Sequence, residues 1–141
     1  AGIGVGHLAD ALTAKGWSLL TVRRLATAVG LLGPAVCHIL FIFARTPPTA
    51  LAAVAASSVL GATTSSGYMA NHADITRRYA GLTFSVANTF ATIPGIAAGP
   101  LTAWALSITG GAWYPVFVFA AILNVLCAAT YLYFAEAKLV L

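Results

Sequence analysis

Between Leu25 and Ala135 four uncharged apolar stretches follow one another, and almost every charge sits in the gaps between them. The first runs from Leu25 to Ala44 and the second from Thr46 to Ala73. A third block, Tyr79 to Ala135, is too long for one crossing and divides at Gly110-Gly111. About 20 consecutive apolar residues span a bilayer as a helix. The pattern therefore predicts an all-α transmembrane chain with four membrane-spanning helices, at about residues 25–44, 48–72, 79–108 and 113–135. Residues 1–24 form a separate leading segment, and 25–141 the membrane region.

Composition excludes most alternatives. Charged residues make up 7% of the chain and hydrophobic residues 60%, against about 25% charged in an ordinary soluble domain. A helix packed in water keeps a polar face at helical spacing, and Leu31 to Ala44 has none beyond His38. The net charge of +4 is a topology signal rather than a nucleic-acid footprint. Lys15, Arg23, Arg24, Arg77, Arg78 and Lys138 fall in alternate gaps or ends, and Arg45 alone falls in the others. Cytoplasmic loops retain Lys and Arg, so both termini and the Asp74–Arg78 loop are expected on the cytoplasmic side. Asp, Lys or Arg at mid-span costs about 2.5–3.5 kcal/mol each, which keeps Asp74, Arg77 and Arg78 at the membrane face. Asp74 and Arg78, four apart, are expected to pair across one helical turn. The chain starts without Met and reads as the tail of a longer protein.

The spans differ in polarity. The first offers only Thr27 and His38 as hydrogen-bonding side chains, and the fourth Asn124, Thr130 and its tyrosines, so both suit a lipid-facing position. Trp113, Tyr114, Tyr131 and Tyr133 read as interface anchors. In the second, Ser57, Gly61, Thr64, Tyr68 and Asn71 recur every three or four residues, on one face of a continuous helix. The third repeats this with Ser85, Asn88, Thr92, Gly95, Gly99 and Thr102. Two readings fit these stripes: close helix packing through small residues, or the wall of a water-filled path, which Tyr68 and Asn88 favour by size. Pro34, Pro94 and Pro100 lie inside spans, where a lost hydrogen bond bends a helix.

His38 and His72 are each open to two readings, a proton-handling group or a histidine held by a hydrogen bond. Cys37 and Cys127 lack partners at ligand spacing and are expected to pack as small buried hydrophobes; no metal or other cofactor is implied. The three acids, Asp10, Asp74 and Glu136, lie in loops or ends, so no enzyme constellation forms.

The block Asn71-His72-Ala73-Asp74-Ile75-Thr76-Arg77-Arg78-Tyr79-Ala80-Gly81 resembles the N-H-x-D-I-x-x-R-Y-A motif of the anion:cation symporter family of the major facilitator superfamily. Gly6-His7-Leu8-Ala9-Asp10-Ala11-Leu12 is similar to that family's G-x-x-A-D-x-L loop after helix eight. Ser18, Val22, Arg23 and Arg24 resemble the S-x-x-x-V-R-[KR] leading into helix nine. Asn88-Thr89 and Thr92 match helix eleven, and Trp113, Val116 and Phe117 the start of helix twelve. Ala91 replaces a usual Gly, Pro94 is unusual beside Gly95, and the family's Gly-Glu is blurred at Ala135-Glu136-Ala137-Lys138.

The resemblance implies part of the C-terminal six-helix half of a major facilitator transporter: the end of helix eight, its loop, and helices nine to twelve. It implies alternating access for phosphate or organic anions, with membrane lipid and the missing N-terminal helices as partners and no nucleic acid. Asp10, Arg23 and Arg24 would belong to a cytoplasmic brace. Asn71, His72, Asp74 and Arg78 would close the cytoplasmic end between helices ten and eleven. Tyr68, Asn88, Thr92, Thr64 and Ser57 are the candidates for the substrate path. A coupling proton or sodium ion would bind outside this chain. Plasma, lysosomal or vesicular, and plastid membranes all stay open. The alternative is a small four-span assembly subunit without transport activity, which explains the hydrophobicity but not the order of motifs.

Overall fold

The computed structural model describes residues 2–76 and 78–137, so Arg77 of the motif and Lys138 lie outside the described residues. Regular structure there is helical throughout: α1 (Gly2–Ala14), α2 (Leu19–Ile42), α3 (Pro47–Gly61), a 3-10 helix (Ala62–Ser66), α4 (Tyr68–Ile75), α5 (Ala80–Ile108) and α6 (Tyr114–Phe134). Three of these, α2, α5 and α6, are long and apolar enough to cross a membrane. At 1.5 Å per residue α2 is about 36 Å long, enough for a hydrocarbon core of about 30 Å.

Local chemistry sets the boundaries. Ser18 caps α2 by accepting from Thr21 N at 3.1 Å, so the helix begins six residues before the first apolar stretch and contains Arg23 and Arg24. Thr46 caps α3 through a reciprocal bond with Thr49, and Pro47 and Pro48 occupy its first turn, where a missing N–H costs nothing. Past Ile108, Gly110 and Gly111 adopt φ +63° and +89°. Gly111 N donates to Leu106 O at 2.8 Å, a glycine-dependent closure that reverses the chain into α6. Pro94 and Pro100 are accommodated within one continuous α5.

The segment expected as an unbroken second span is interrupted. After Gly61 the run Ala62-Thr63-Thr64-Ser65-Ser66 tightens into 3-10 geometry, and Gly67 (ψ −118°) separates it from α4. The hydroxyls of Thr63, Thr64 and Ser65 each bond the carbonyl three residues back, at 2.8 Å. Such back-bonding competes with the regular helical ladder. Ser57 and Gly61 therefore do not share one helix face with Tyr68 and Asn71.

Helix α2 is the hub, packed against α1, α3, the 3-10 helix, α4 and α6. Its small residues explain why: a Cβ on Gly30 would come within 2.6 Å of Thr63 Oγ1 and Thr64 Cγ2, and one on Gly33 within 2.9 Å of Leu60. A Cβ on Gly67 would stand 2.8 Å from Thr27 N. Only glycine permits backbones this close, the usual device where helices associate without a hydrophobic drive. The opposite face of α2 is open, and Leu32, Val36, Ile39 and Leu40 line an aliphatic groove with Val118, Ile122 and Val125 of α6. Helix α5 lies at the edge, touching α4 and only the margin of α6, and no residue on it is buried.

Candidate functional site

The polar residues of α2, α4 and the end of α6 meet at one end of the bundle. Arg23, one turn into α2, donates from Nε to Asp74 Oδ2 at 2.6 Å and from Nη2 to Asp74 Oδ1 at 3.2 Å. Its third arm, Nη1, donates to the carbonyl of Ser66 at 2.9 Å. The pair is largely shielded, with side chains 16% and 14% exposed. A planar guanidinium matches a carboxylate in this fork geometry and fixes orientation as well as charge. Next along α2, Arg24 Nη2 donates to the Ala135 carbonyl at 3.0 Å. That places a cation on the negative end of α6, where the helix dipole favours it. Two adjacent arginines thus tie α2 to α4 and to the C-terminal end of α6.

This corrects the expected pairing of Asp74 with Arg78. Arg78 is exposed and stacks over the Tyr79 ring at 5.6 Å, while Asp74 turns inward to a residue 51 positions away. The physical reason is that α4 ends at Ile75, so no helical turn joins positions 74 and 78. Asn71, about one turn before Asp74, is buried. His72 is half-buried and meets the Phe84 ring edge-on at 5.7 Å. Asp10 is exposed, and it lies within helix α1 rather than in a loop. Among the described residues it makes no ion pair.

The path candidates separate into two groups. Ser57 faces α2, its hydroxyl 3.5 Å from His38 Nε2, a contact at the limit of hydrogen bonding. Thr64 packs on Gly30 and bonds the Gly61 carbonyl, which suits the packing reading for this part of the stripe. Tyr68 meets Tyr131 of α6 edge-on at 6.4 Å. Ser85, Asn88 and Thr92 instead lie on exposed α5, with Thr92 Oγ1 donating to the Asn88 carbonyl at 3.0 Å. No hydrogen bond or ring contact among the described residues joins the two stripes. Cys37 is buried as expected, but Cys127 is exposed on α6, facing the groove of Asn71, Ile75 and Phe134.

Sequence reasoning missed the pairing and underrated Thr27, Ser66 and Tyr131, all of which surround it. Thr27 is fully buried and lies four residues after Arg23, so its place on the same face of α2 was a readable signal. Tyr131, read as an interface anchor, turns inward; nothing in its spacing marks that.

Against known proteins, no family model matches. Individual relatives do. Human sialin is 41% identical over 137 residues, 94% of this chain. The Arabidopsis thaliana sodium-dependent phosphate transport protein 1, chloroplastic, is 32% identical over 112 residues, 79% of the chain. A probable anion transporter 4, chloroplastic, from Oryza sativa is 34% identical over 136 residues, 96% of the chain. The chain belongs to the anion:cation symporter family. It spans 28% of the length of human sialin and 23% of the rice relative. Membership and three apolar helices make it part of an integral, multi-pass membrane protein. The relatives are transporters, not enzymes, and they do not favour the assembly-subunit alternative. In this chain the two motif segments that looked separate, Ser18-to-Arg24 and Asn71-to-Ala80, meet at the Arg23–Asp74 pair.

Proposed function

We propose that this chain is the C-terminal part of a secondary transporter that moves inorganic phosphate or organic anions by alternating access. In this reading α1 ends helix eight and α2 is helix nine. The interrupted path from Pro47 to Ile75 is helix ten, and α5 and α6 are helices eleven and twelve. Both termini and the Arg23–Asp74 end face the cytoplasm, on the six-to-one loop charge count. The path from α3 to α4 crosses despite its break, since irregular backbone is tolerated at membrane depth where protein covers it.

One observation carries the functional reading: Arg23 and Arg24 tie α2, α4 and α6 together where the family's two motif segments meet. A braced end lets several helices rock as a unit about a midplane site, as alternating access requires. Asp74, Arg23, Arg24 and Asn71 serve that brace; Asp10, His72 and Arg78 flank it. Asn88 and Thr92 on open α5, with Tyr68, face the anion path and donate hydrogen bonds to anionic oxygens. Ser57 and Thr64 are weaker members, being engaged with α2. No spanning helix offers a Lys or Arg deep in the membrane, so the anion's charge partner and any proton or sodium site lie in helices outside this chain.

Charge exchange tests the brace in the full-length protein reconstituted in liposomes. Asp74→Arg and Arg23→Asp should each abolish uptake of labelled phosphate or organic anion, and the double exchange should restore part of it. Full uptake by either single variant would remove the brace from the mechanism.

A further inference from the structure

Helix α2 ends at Ile42, and Arg45 follows just beyond it, at the end of the helix opposite the Arg23–Asp74 pair. Arg45 is exposed. It is the only charged residue between Arg24 and Asp74, and the stretch from Tyr79 to Ala135 holds none. This end of the membrane region therefore carries one positive charge and no acid to meet it.

Arg45 lines a hollow of about 570 Å³ with Phe43, Ala44 and the first turns of α3. Leu40 lines this hollow and also the aliphatic groove between α2 and α6, whose volume is about 660 Å³, so the two meet there. The groove runs from Leu32 to Leu40 on α2 and from Val118 to Leu126 on α6, about 12 Å at 1.5 Å per residue. That is close to the depth of one leaflet, half of a hydrocarbon core of about 30 Å.

The chemistry of the walls selects the occupant. Helices in membranes pack on one another through small residues, and the glycines of α2 that serve this, Gly30 and Gly33, already face the 3-10 helix and α3. The groove presents branched aliphatic side chains instead: Val36, Leu40 and Ile122 line it and are each more than half exposed. A flexible hydrocarbon chain conforms to such walls. At the rim, Thr46 and Thr49 spend their hydroxyls on the cap of α3, in a mutual contact at 3.0 Å and a 2.8 Å bond from Thr49 Oγ1 to the Thr46 carbonyl. Polar recognition then falls to Arg45, whose planar guanidinium can meet two phosphate oxygens at once.

We propose that Arg45 and the α2–α6 groove together bind one anionic phospholipid, with an acyl chain in the groove and the headgroup phosphate on the guanidinium. The lone cation selects net negative charge, because no carboxylate stands by to receive the amine of a zwitterionic headgroup. This site rests on the chain's place in a membrane and is independent of the transport reading.

The test uses the full-length protein in phosphatidylcholine liposomes containing a trace of phosphatidylglycerol with a photoreactive diazirine at mid-chain. After illumination, labelled peptides are mapped. Label should concentrate on residues 32–40 and 118–126 and be displaced by excess unlabelled phosphatidylglycerol, but not by extra phosphatidylcholine or by inorganic phosphate. Arg45→Gln should lower labelling of these segments about threefold to fivefold, the weight of one basic residue toward an anionic lipid, with labelling elsewhere unchanged. Arg45→Lys should keep part of it, and Ile122→Trp, which fills the groove, should lose it. Equal displacement by phosphatidylcholine, or full labelling of Arg45→Gln, would reduce the groove to ordinary lipid contact and overturn the proposal. Displacement by inorganic phosphate would overturn it in favour of a soluble anion. No label on either segment would mean that another helix covers the groove, and would overturn it too.

Discussion

Removing the Asp74 carboxylate should destabilise the protein more than a surface ion pair would, and the coupling should run to Arg23. Exposed pairs are worth about 0.2–1 kcal/mol, whereas stranding one partner of a buried pair costs about 3–5 kcal/mol. With 16% and 14% of the two side chains exposed, Arg23 and Asp74 sit nearer the buried limit. Arg23 keeps one bond after the loss, to the Ser66 carbonyl at 2.9 Å, which softens the penalty. Asp74→Asn should therefore cost about 2–3 kcal/mol, and Arg23→Gln a similar amount. The double variant leaves no stranded charge, so its cost should fall short of the sum by about 1–2 kcal/mol. Equilibrium unfolding of the four proteins in mixed micelles measures this cycle. The matching cycle of Asp74→Asn with Arg78→Gln should be additive within about 0.5 kcal/mol. Coupling to Arg78 with none to Arg23 would refute the reasoning.

Three further outcomes follow from the packing and the topology. Gly30→Ala should cost about 1–3 kcal/mol in thermal unfolding by overpacking, because its Cβ would meet Thr63 and Thr64 at 2.6 Å. Cysteines placed at Thr76 and Gly111 should label from opposite sides of the membrane, and labelling from one side would sink the four-span topology. Cysteines at Asn88 and Thr92 should react with small water-soluble thiol reagents and be protected by substrate, while cysteines at Val22 and Ala35, buried on α2, should not. Absence of reaction at Asn88 and Thr92 in a transporting protein would assign α5's stripe to helix packing.

The helical class was legible from hydrophobic runs and loop charges, because lipid demands long, uncharged, self-bonded segments. The glycine pair at 110 and 111 was legible for the same local reason, a reversal that needs positive φ. The break at residues 62–67 was not. It carries no charge to mark a loop, and only the cluster of Thr and Ser between Gly61 and Gly67 hints at hydroxyls competing with the helical ladder. Polarity ranking gave no sign of the close packing of α2, which Gly30 and Gly33 allow by letting α3 and the 3-10 helix approach too closely for a Cβ. The charge pair was misassigned because spacing rules see only neighbours along a helix. Asp74 and Arg78 satisfied the rule on paper, while the tertiary fold set Arg23 opposite Asp74 from 51 positions away.

Counterflow in proteoliposomes tests the central claim most directly. The purified full-length protein is reconstituted with unlabelled phosphate or organic anion inside, and labelled anion is added outside. Alternating access predicts uptake that saturates with outside anion and is accelerated by the anion inside, and that collapses in Asp74→Arg. A folded, reconstituted protein that shows neither uptake nor exchange with phosphate or any organic anion would contradict the account.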